Sequence, residues 1–265
     1  MRALKTLLFL FASTLISAQS FDFLAGIRLG DGEGEDDEST EIAFFSNGDL
    51  LVAGQFEGLI DFDPQLSQRN LQISIPSGGE SYFARYSPQG QLIWWRALRS
   101  KRDVHIYGIK IDQNDNVYLT GTYIQELILD EDNPNAQLSG VSPNDGDGYL
   151  TKFDAQGNYQ WATRFAGSGI DAGFDLDFNP AGELVLLGVF GDSLQFDPNQ
   201  SSSLKVSAGA GDVFFAGFDT VAGQRRTSPT VDAGDPVEAR LEAAAIAVRV
   251  RHVDRGGAPT RGDLS

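Results

Sequence analysis

Hydrophobic and polar residues alternate over short segments along most of the chain. Leu50, Val52, Gly54 and Phe56 hold alternate positions of one such segment, and Asn47-Gly48 before it is a hairpin-turn signal. Because alternate residues of an extended chain lie on one side, this pattern predicts a β-strand with a buried face. The first part of the chain is predicted to form four short antiparallel strands, near residues 41–45, 49–56, 80–86 and 91–98, with a further short strand near 59–62 or 71–75.

The same residue types return with a constant spacing of 67 residues, which divides the chain into repeated units. Several columns share this spacing: Gly54, Gly121 and Gly188; Phe56, Tyr123 and Phe190; Phe62, Leu129 and Phe196; Tyr82 and Tyr149; Gly90 and Gly157; Trp94 and Trp161. In the third copy, Phe214 and the residues after it come two positions early. The units are placed at about 30–96, 97–163 and 164–219, and no segment of helical periodicity interrupts residues 21–219.

Four-stranded repeats with glycine and aromatic columns are typical of β-propeller blades. The recurrent glycine lets a neighbouring strand or ring approach closely. The chain is therefore predicted to be all-β, a partial β-propeller of three tandem blade-like repeats within residues 19–219, the third one incomplete. Three units do not close a propeller, so further blades are expected from a longer chain or an oligomer. Since common blades are shorter, the surplus residues are expected in loops around 64–79 and 131–146.

Two segments, residues 106–123 and 169–188, resemble the SBBP-type bacterial β-propeller repeat. The Phe-Asp-Pro sequences at 62–64 and 196–198 and the segment 152–161 also fit, so the resemblance covers about residues 28–219. It implies a propeller fold in secreted or surface-attached bacterial proteins, and it implies no catalytic residues. The first copy departs from the pattern at residues 31–38, where an acidic loop replaces a glycine-rich turn.

The two ends of the chain differ from the repeats. Arg2 and Lys5 precede an apolar run that ends in small residues, which predicts a secretory signal peptide over residues 1–18 and an exported or cell-surface protein. Residues 220–265 contain no aromatic residue and lack the expected tryptophan strand, so they are predicted to be foreign to the repeat fold, as a frame-shifted end. The alternative is a native appended segment, with Asp235-Pro-Val-Glu238 capping a short helix that runs to about Val250.

Charge and composition exclude several functions. The formal net charge is −17, from 20 basic and 37 acidic residues, which disfavours binding to nucleic acid or to anionic lipid. The chain has no cysteine, so disulfides, thiol catalysis and thiolate zinc sites are excluded. With so many acids, some carboxylates will lie close together anywhere on the surface, so a carboxylate pair alone does not predict a glycoside hydrolase.

Acidic and asparagine-rich loops are the candidates for a metal site. Oxygen-bearing side chains alternate over residues 144–148 and 112–116, and residues 31–38 hold six acids. Calcium needs six to eight oxygen ligands, but the EF-hand pattern is incomplete in all three loops. Solvated turns are the favoured interpretation, because Asp, Asn and Gly favour turns whatever they bind. Calcium stays an alternative for these loops, and no metal-binding residue is assigned.

The remaining motifs each have an ordinary explanation. His105 and His252 lie near no recognisable nucleophile motif. Residues 30–34 lack the lysine and the helix of a phosphate-binding loop. Arg261-Gly-Asp263 matches an integrin-recognition tripeptide, but it has only three residues and lies in the atypical end. Trp94 and Trp161 share a repeat column, which favours packing between blades. Trp95 alternates to the other face and is the better candidate for an exposed platform that stacks on sugars.

The leading prediction of function is a non-enzymatic, secreted scaffold or binding module, a fragment of a larger extracellular or cell-surface protein. The residues that vary between copies, such as Gln55, Thr122 and Val189, are expected to face loops or neighbours. The alternative is a glycan-binding or glycan-cleaving propeller, and a calcium-stabilised structural domain is a third class. No catalytic or cofactor-binding residue is assigned, and a protein or a glycan is the expected ligand. No nucleic-acid partner is expected, and no membrane span after removal of the signal peptide.

Overall fold

The computed structural model describes residues 38–56, 58–63, 71–73, 80–195, 204–207 and 211–221. Within these ranges the chain forms strands and turns and no helix, which confirms the all-β prediction. The strands are β1 (Glu38–Phe44), β2 (Leu50–Phe56), β3 (Leu59–Asp61), β4 (Leu71–Ile73), β5 (Glu80–Tyr86), β6 (Leu92–Ser100), β7 (Val104–Ile111), β8 (Val117–Tyr123), β9 (Glu126–Ile128), β10 (Gln137–Ser139), β11 (Asp147–Phe153), β12 (Tyr159–Phe165), β13 (Ala172–Phe178), β14 (Leu184–Phe190), β15 (Ser193–Gln195), β16 (Leu204–Val206) and β17 (Asp212–Phe218).

Eleven of these strands form three antiparallel sheets, one for each repeat. The first unit contains β1-β2-β5-β6, the second β7-β8-β11-β12 and the third β13-β14-β17, in that order across each sheet. Each unit also inserts a small hairpin between its second and third strands: β3-β4, β9-β10 or β15-β16. The four predicted strands of the first unit are thus confirmed, and short strands form at both 59–61 and 71–73, where one further strand is predicted. The three sheets do not close into a ring.

The structure corrects two details of the sequence interpretation, one in a hairpin and one at the unit boundaries. The sequence predicts a surplus loop around 131–146, but residues 137–139 of it form β10, which pairs with β9, and β9 also pairs with β6 of the first unit. The hairpin of the second unit therefore extends the first sheet, a long-range pairing that no local pattern encodes. The unit boundaries also shift, because β6 runs to Ser100 and β12 to Phe165, beyond the predicted ends at residues 96 and 163.

Consecutive units pack face to face, and each shared face has its own apolar cluster. Between the first and second units, Leu51 and Phe83 pack with Ile109 and Val117. Between the second and third units, Leu150 packs with Leu186 in an equivalent cluster. The first strands of the units lie side by side, β1 against β7 and β7 against β13. The repeat columns are therefore the contact surfaces of stacked sheets, as the spacing indicated.

The glycine column allows close approach of the backbone, as predicted. A Cβ atom on Gly121 would overlap the carbonyl oxygen of His105 on the neighbouring strand. A Cβ atom on Gly188 would lie 2.5 Å from the carbonyl oxygen of Ala172 and 2.6 Å from the ring of Phe214. In the second and third units, the recurring glycine is therefore required where the first and second strands pair.

Several predicted features lie wholly or mostly outside the described residues. These are the signal peptide over residues 1–18, the loops at 30–34 and 31–38, and almost all of the atypical end at 220–265, including His252 and Arg261-Gly-Asp263. Among the residues that the structure does describe, no helix has the length and the hydropathy to cross a membrane.

Candidate binding site on the first strands

A β-bulge occurs at the same repeat position in every unit. The register of the first and second strands shifts at Thr40 in the first unit, at Tyr107 in the second and at Phe174 in the third, 67 residues apart each time. Bulges bend a strand, re-aim a side chain and are frequent next to functional sites. Because β1, β7 and β13 are neighbours, the bulged residues are brought into one line across the three units.

Aromatic rings in this line are stacked. The rings of Tyr107 and Phe174 have centroids 5.3 Å apart and an interplanar angle of 10°, and the ring of His105 stacks with Tyr107 at 5.6 Å. At the first unit, the Thr40 hydroxyl donates to the carbonyl of Ile106 at 3.2 Å. All four side chains, Thr40, His105, Tyr107 and Phe174, are half-buried. We call these four residues the first-strand column.

The first-strand column has aromatic rings at its centre, and the Tyr107 hydroxyl is uncharged. Burial, with a smaller contribution from Asp103, raises the pKa of Tyr107, so its hydroxyl keeps its proton at neutral pH and remains a hydrogen-bond donor. Farther along the same strands, the Lys110 ammonium contacts the Asp177 carboxylate at 2.6 Å and joins the second and third units. The surface thus offers partly exposed rings beside a paired charge, which suits contact with a ligand.

Two buried carboxyl groups, of Asp147 and Asp171, lie at the junction between the second and third units, at the end away from the Lys110–Asp177 ion pair. Asp147 accepts a hydrogen bond from the Val141 amide at 2.6 Å, and Asp171 accepts one from the Gly167 amide at 2.5 Å. Both residues are fully buried, and one oxygen of each has no hydrogen-bond partner within the described part of the chain. The hydroxyl of Thr122 donates to the backbone carbonyl of Asp171 at 3.0 Å.

Burial determines the protonation of this pair. Burial raises the pKa of Asp171 to about 7, against the lowering effect of amide groups from Gly167 and Gly191, and the nearby Asp147 and Asp145 raise it further. Burial also raises the pKa of Asp147. Both carboxyls are enclosed, so neither can reach a dissolved glycan in this conformation. The pair is an element of the junction between units.

The turn at residues 112–116 uses its carboxylate to hold its own backbone. One oxygen of Asp112 accepts hydrogen bonds from the amides of Asn114 and Asn116, and the other accepts from the Asn116 side chain and the Tyr118 hydroxyl. Asp115 reaches the preceding unit and accepts two bonds from Ser46. The carboxylate oxygens of this loop therefore act as hydrogen-bond acceptors that hold a turn, which agrees with the solvated-turn interpretation.

The loop at 144–148 is also tied to its surroundings. Asp145 accepts from the Ser142 hydroxyl at 2.8 Å, Asn144 accepts from Arg102, and the Gly146 carbonyl accepts from the Asp171 amide. In the part of the chain that the structure describes, no group of three or more His, Asp or Glu residues is arranged to hold a metal ion.

The tryptophans serve mainly in packing. Trp94 meets Phe45 and Phe83 edge to face, and its indole N–H donates to the Ala155 carbonyl of the second unit at 3.1 Å. Trp161 packs in the equivalent cluster one junction later. The prediction for this column is therefore confirmed. Trp95 does not form an exposed platform, because it is half-buried and stacks on the ring of Phe62 at 4.8 Å.

His105 is half-buried, and sequence reasoning, which finds no nucleophile motif beside it, missed the first-strand column. The signal was present, since Thr40, Tyr107 and Phe174 have the repeat spacing. The three residue types differ, however, so they form no visible column, and a bulge depends on the partner strand. The varying residues Gln55 and Thr122 do face a neighbour, as predicted, because each donates to a carbonyl of the next unit.

Comparison with known proteins gives one distant likeness. No protein-family model matches the sequence. The chain is similar to an uncharacterized WD repeat-containing protein, L264, of Acanthamoeba polyphaga mimivirus, with 20% identity over 196 residues. The similar region covers 66% of this chain and 14% of that protein, so the chain spans only a small part of its relative's length. This likeness supports a β-repeat protein, and the SBBP type of repeat stays a prediction.

Proposed function

We propose that the chain is a non-enzymatic repeat module of the β-propeller type that serves as a scaffold or binding domain. The observation that supports this most strongly is the order of the first strands, in which β1 lies against β7 and β7 against β13. In a propeller, four-stranded blades surround a central channel. WD repeats are blades of this kind, so the likeness to a WD repeat-containing protein agrees with the proposal.

In this proposal the first-strand column is the place where a ligand binds. Tyr107 and Phe174 expose part of their rings beside each other, and the Tyr107 hydroxyl is a donor at neutral pH. Tyr and other aromatic residues provide large contact area with few rotatable bonds, which favours recognition. The ligand is a protein or a glycan that lies across the bulges of neighbouring units.

We further propose that the chain is exported and belongs to a larger extracellular or cell-surface assembly. This rests on the charged start and apolar run of residues 1–18 and on the resemblance of the repeats to the SBBP type. Amino-terminal sequencing of protein recovered outside the expressing cell would be expected to begin after Ala18. Retention of residues 1–18 in a cytosolic product would contradict the proposal.

The binding proposal is tested with the full chain on arrays of glycans and of peptides. We expect that Tyr107→Ala or Phe174→Ala weakens binding of a hit at least tenfold, because each removes half of the stacked pair. Tyr107→Phe keeps the ring and loses only the hydroxyl, so its binding should be weakened less than that of Tyr107→Ala. Val141→Ala, at an exposed loop position, is the matched control.

Two results would contradict this function. Binding that survives both alanine substitutions, with the far-ultraviolet circular dichroism unchanged, would remove the column as the site. Release of reducing sugar from a polysaccharide by the purified chain would show an enzyme and overturn the non-enzymatic proposal.

A further inference from the structure

One face of the third unit has the residues of a junction, but no described residue of another unit packs on it. Leu51 and Phe83 of the first unit are fully buried against the second unit, and Leu150 of the second is fully buried against the third. At the same repeat positions the third unit has Val185 and Phe215. There Val185 is only half-buried and the Phe215 ring is 41% exposed. The residues of this outer face are Val185, Leu187, Val189, Val213 and Phe215, and Val213 is 56% exposed.

On the first unit, the opposite face is open along β1, whereas its β5 part is buried in the unit's own cluster, in which Tyr82 and Ala84 pack with Phe62. Ile42 on β1 is 61% exposed and Phe44 is 66% exposed. The same repeat position as Ile42 is held by Ile109 in the second unit, 8% exposed, and by Leu176 in the third, 2% exposed. Each of these two is covered by the preceding sheet. Ile42 and Phe44 are therefore the counterpart of a preceding sheet that this chain does not supply among its described residues.

These two open faces match each other by the same rule that joins the units within the chain. At each internal junction, the sheet of one unit covers the sheet of the next. The covering face corresponds to the outer face of the third unit, and the covered face corresponds to the side of the first unit that has Ile42 and Phe44. From this correspondence, we propose that a second copy of this chain docks head to tail, with the first unit of each copy on the third unit of the other. The inference rests on the proposed propeller-type arrangement.

The arithmetic of closure favours two copies. Two copies of the three described units give six sheets, within the four to eight blades that close a propeller. A head-to-tail contact joins two different surfaces, and such contacts form closed rings when the rotation between copies fits. At internal junctions Gln55 and Thr122 donate to a carbonyl of the next unit. Val189 stands at this position in the third unit, so the contact between copies is more apolar than the internal ones.

The mass of the full chain in solution tests this proposal. Sedimentation equilibrium at 0.3 M NaCl is suitable, because salt screens the repulsion between two copies that each have a net charge of −17. We expect twice the mass of one chain. Phe44→Glu and Phe215→Glu should each give the mass of one chain, whereas Val141→Glu, at an equally exposed apolar position outside both faces, should leave the dimer intact.

Mixing the two variants separates head-to-tail docking from other contacts. Phe44→Glu keeps an intact third unit and Phe215→Glu an intact first unit, so the mixture can form one good junction and should recover a mass of two chains. A symmetric contact through one face would not be rescued in this way. A mass of one chain for the unchanged protein, or a dimer that survives both substitutions, overturns the inference. Ligand binding that depends on Tyr107 would still stand after such a failure, so the two proposals fail separately.

Discussion

At the scale of single residues, buried polar groups define the junctions between units. Asp171 combines full burial with an oxygen that has no hydrogen-bond partner among the described residues. A buried carboxyl in this position avoids the cost of an unpaired charge by keeping its proton. Its protonation is therefore linked to the stability of the contact between the second and third units.

This linkage predicts how stability changes with pH. An unfolded carboxyl ionises near its ordinary pKa of 3.8, whereas folded Asp171 holds its proton up to about pH 7. The folded state thus binds more protons between these values, so this contribution is greatest below about pH 4, falls as the pH rises to 7 and is absent above it. Its size is at most about 4 kcal/mol, since one pKa unit corresponds to about 1.4 kcal/mol.

The measurement compares urea unfolding of the full chain with that of Asp171→Asn between pH 4.5 and 8. The asparagine cannot ionise, so we expect a smaller loss of stability with pH in the variant. Asp132→Asn, which removes an exposed carboxylate, should keep the original pH dependence. Parallel curves for Asp171→Asn and the unchanged chain would contradict the prediction.

At the scale of strands, the contact between the first and second strands depends on glycine. In the second and third units, which have bulges at Tyr107 and Phe174, a carbonyl of the first strand lies close to the glycine of the second strand. A side chain at that point would separate two strands whose hydrogen bonds form the centre of a unit. The bulge and the glycine therefore occur together in both of these repeats.

Gly121→Ala should destabilise the chain by about 1–3 kcal/mol, because the added methyl group overlaps the backbone of β7 and the strands must move apart. Gly217→Ala is the matched control, since a Cβ atom there would have no neighbour within 4 Å. Thermal unfolding monitored by circular dichroism measures the difference. Equal melting temperatures for the two variants would contradict this account of the column.

The strands were largely predictable from sequence because alternation and turn residues act locally. The predicted segment 80–86 is β5 of the structure, and the predicted 49–56 differs from β2 by one residue. The pairing of β9 with β6 could not be predicted, because it joins residues of different units through backbone groups. The first-strand column was hidden for a related reason, since Thr, Tyr and Phe share a position but no chemistry.

At the scale of the molecule, each apolar cluster at a junction contains side chains from two units. Unfolding of one unit therefore exposes the face of its neighbour, and repeat proteins with strong junctions unfold together. We expect one cooperative transition for the described region, with the same midpoint by tryptophan fluorescence and by far-ultraviolet circular dichroism.

Leu150→Ala tests this coupling, because Leu150 belongs to the second unit and is buried in the cluster shared with the third. Removal of a buried leucine side chain costs about 2–5 kcal/mol, and both probes should shift together. Val141→Ala, on an exposed loop, should shift neither. Two separate transitions in the variant would show that the units unfold independently.

The pairing of β9 with β6 has a consequence for synthesis of the chain. β6 ends at Ser100, but the segment that covers its edge begins only at Glu126. While the ribosome is still adding these residues, the nascent first sheet presents unpaired amide and carbonyl groups, a state in which edges attract other chains. A pause in translation between these points would therefore prolong the interval in which newly made molecules can aggregate.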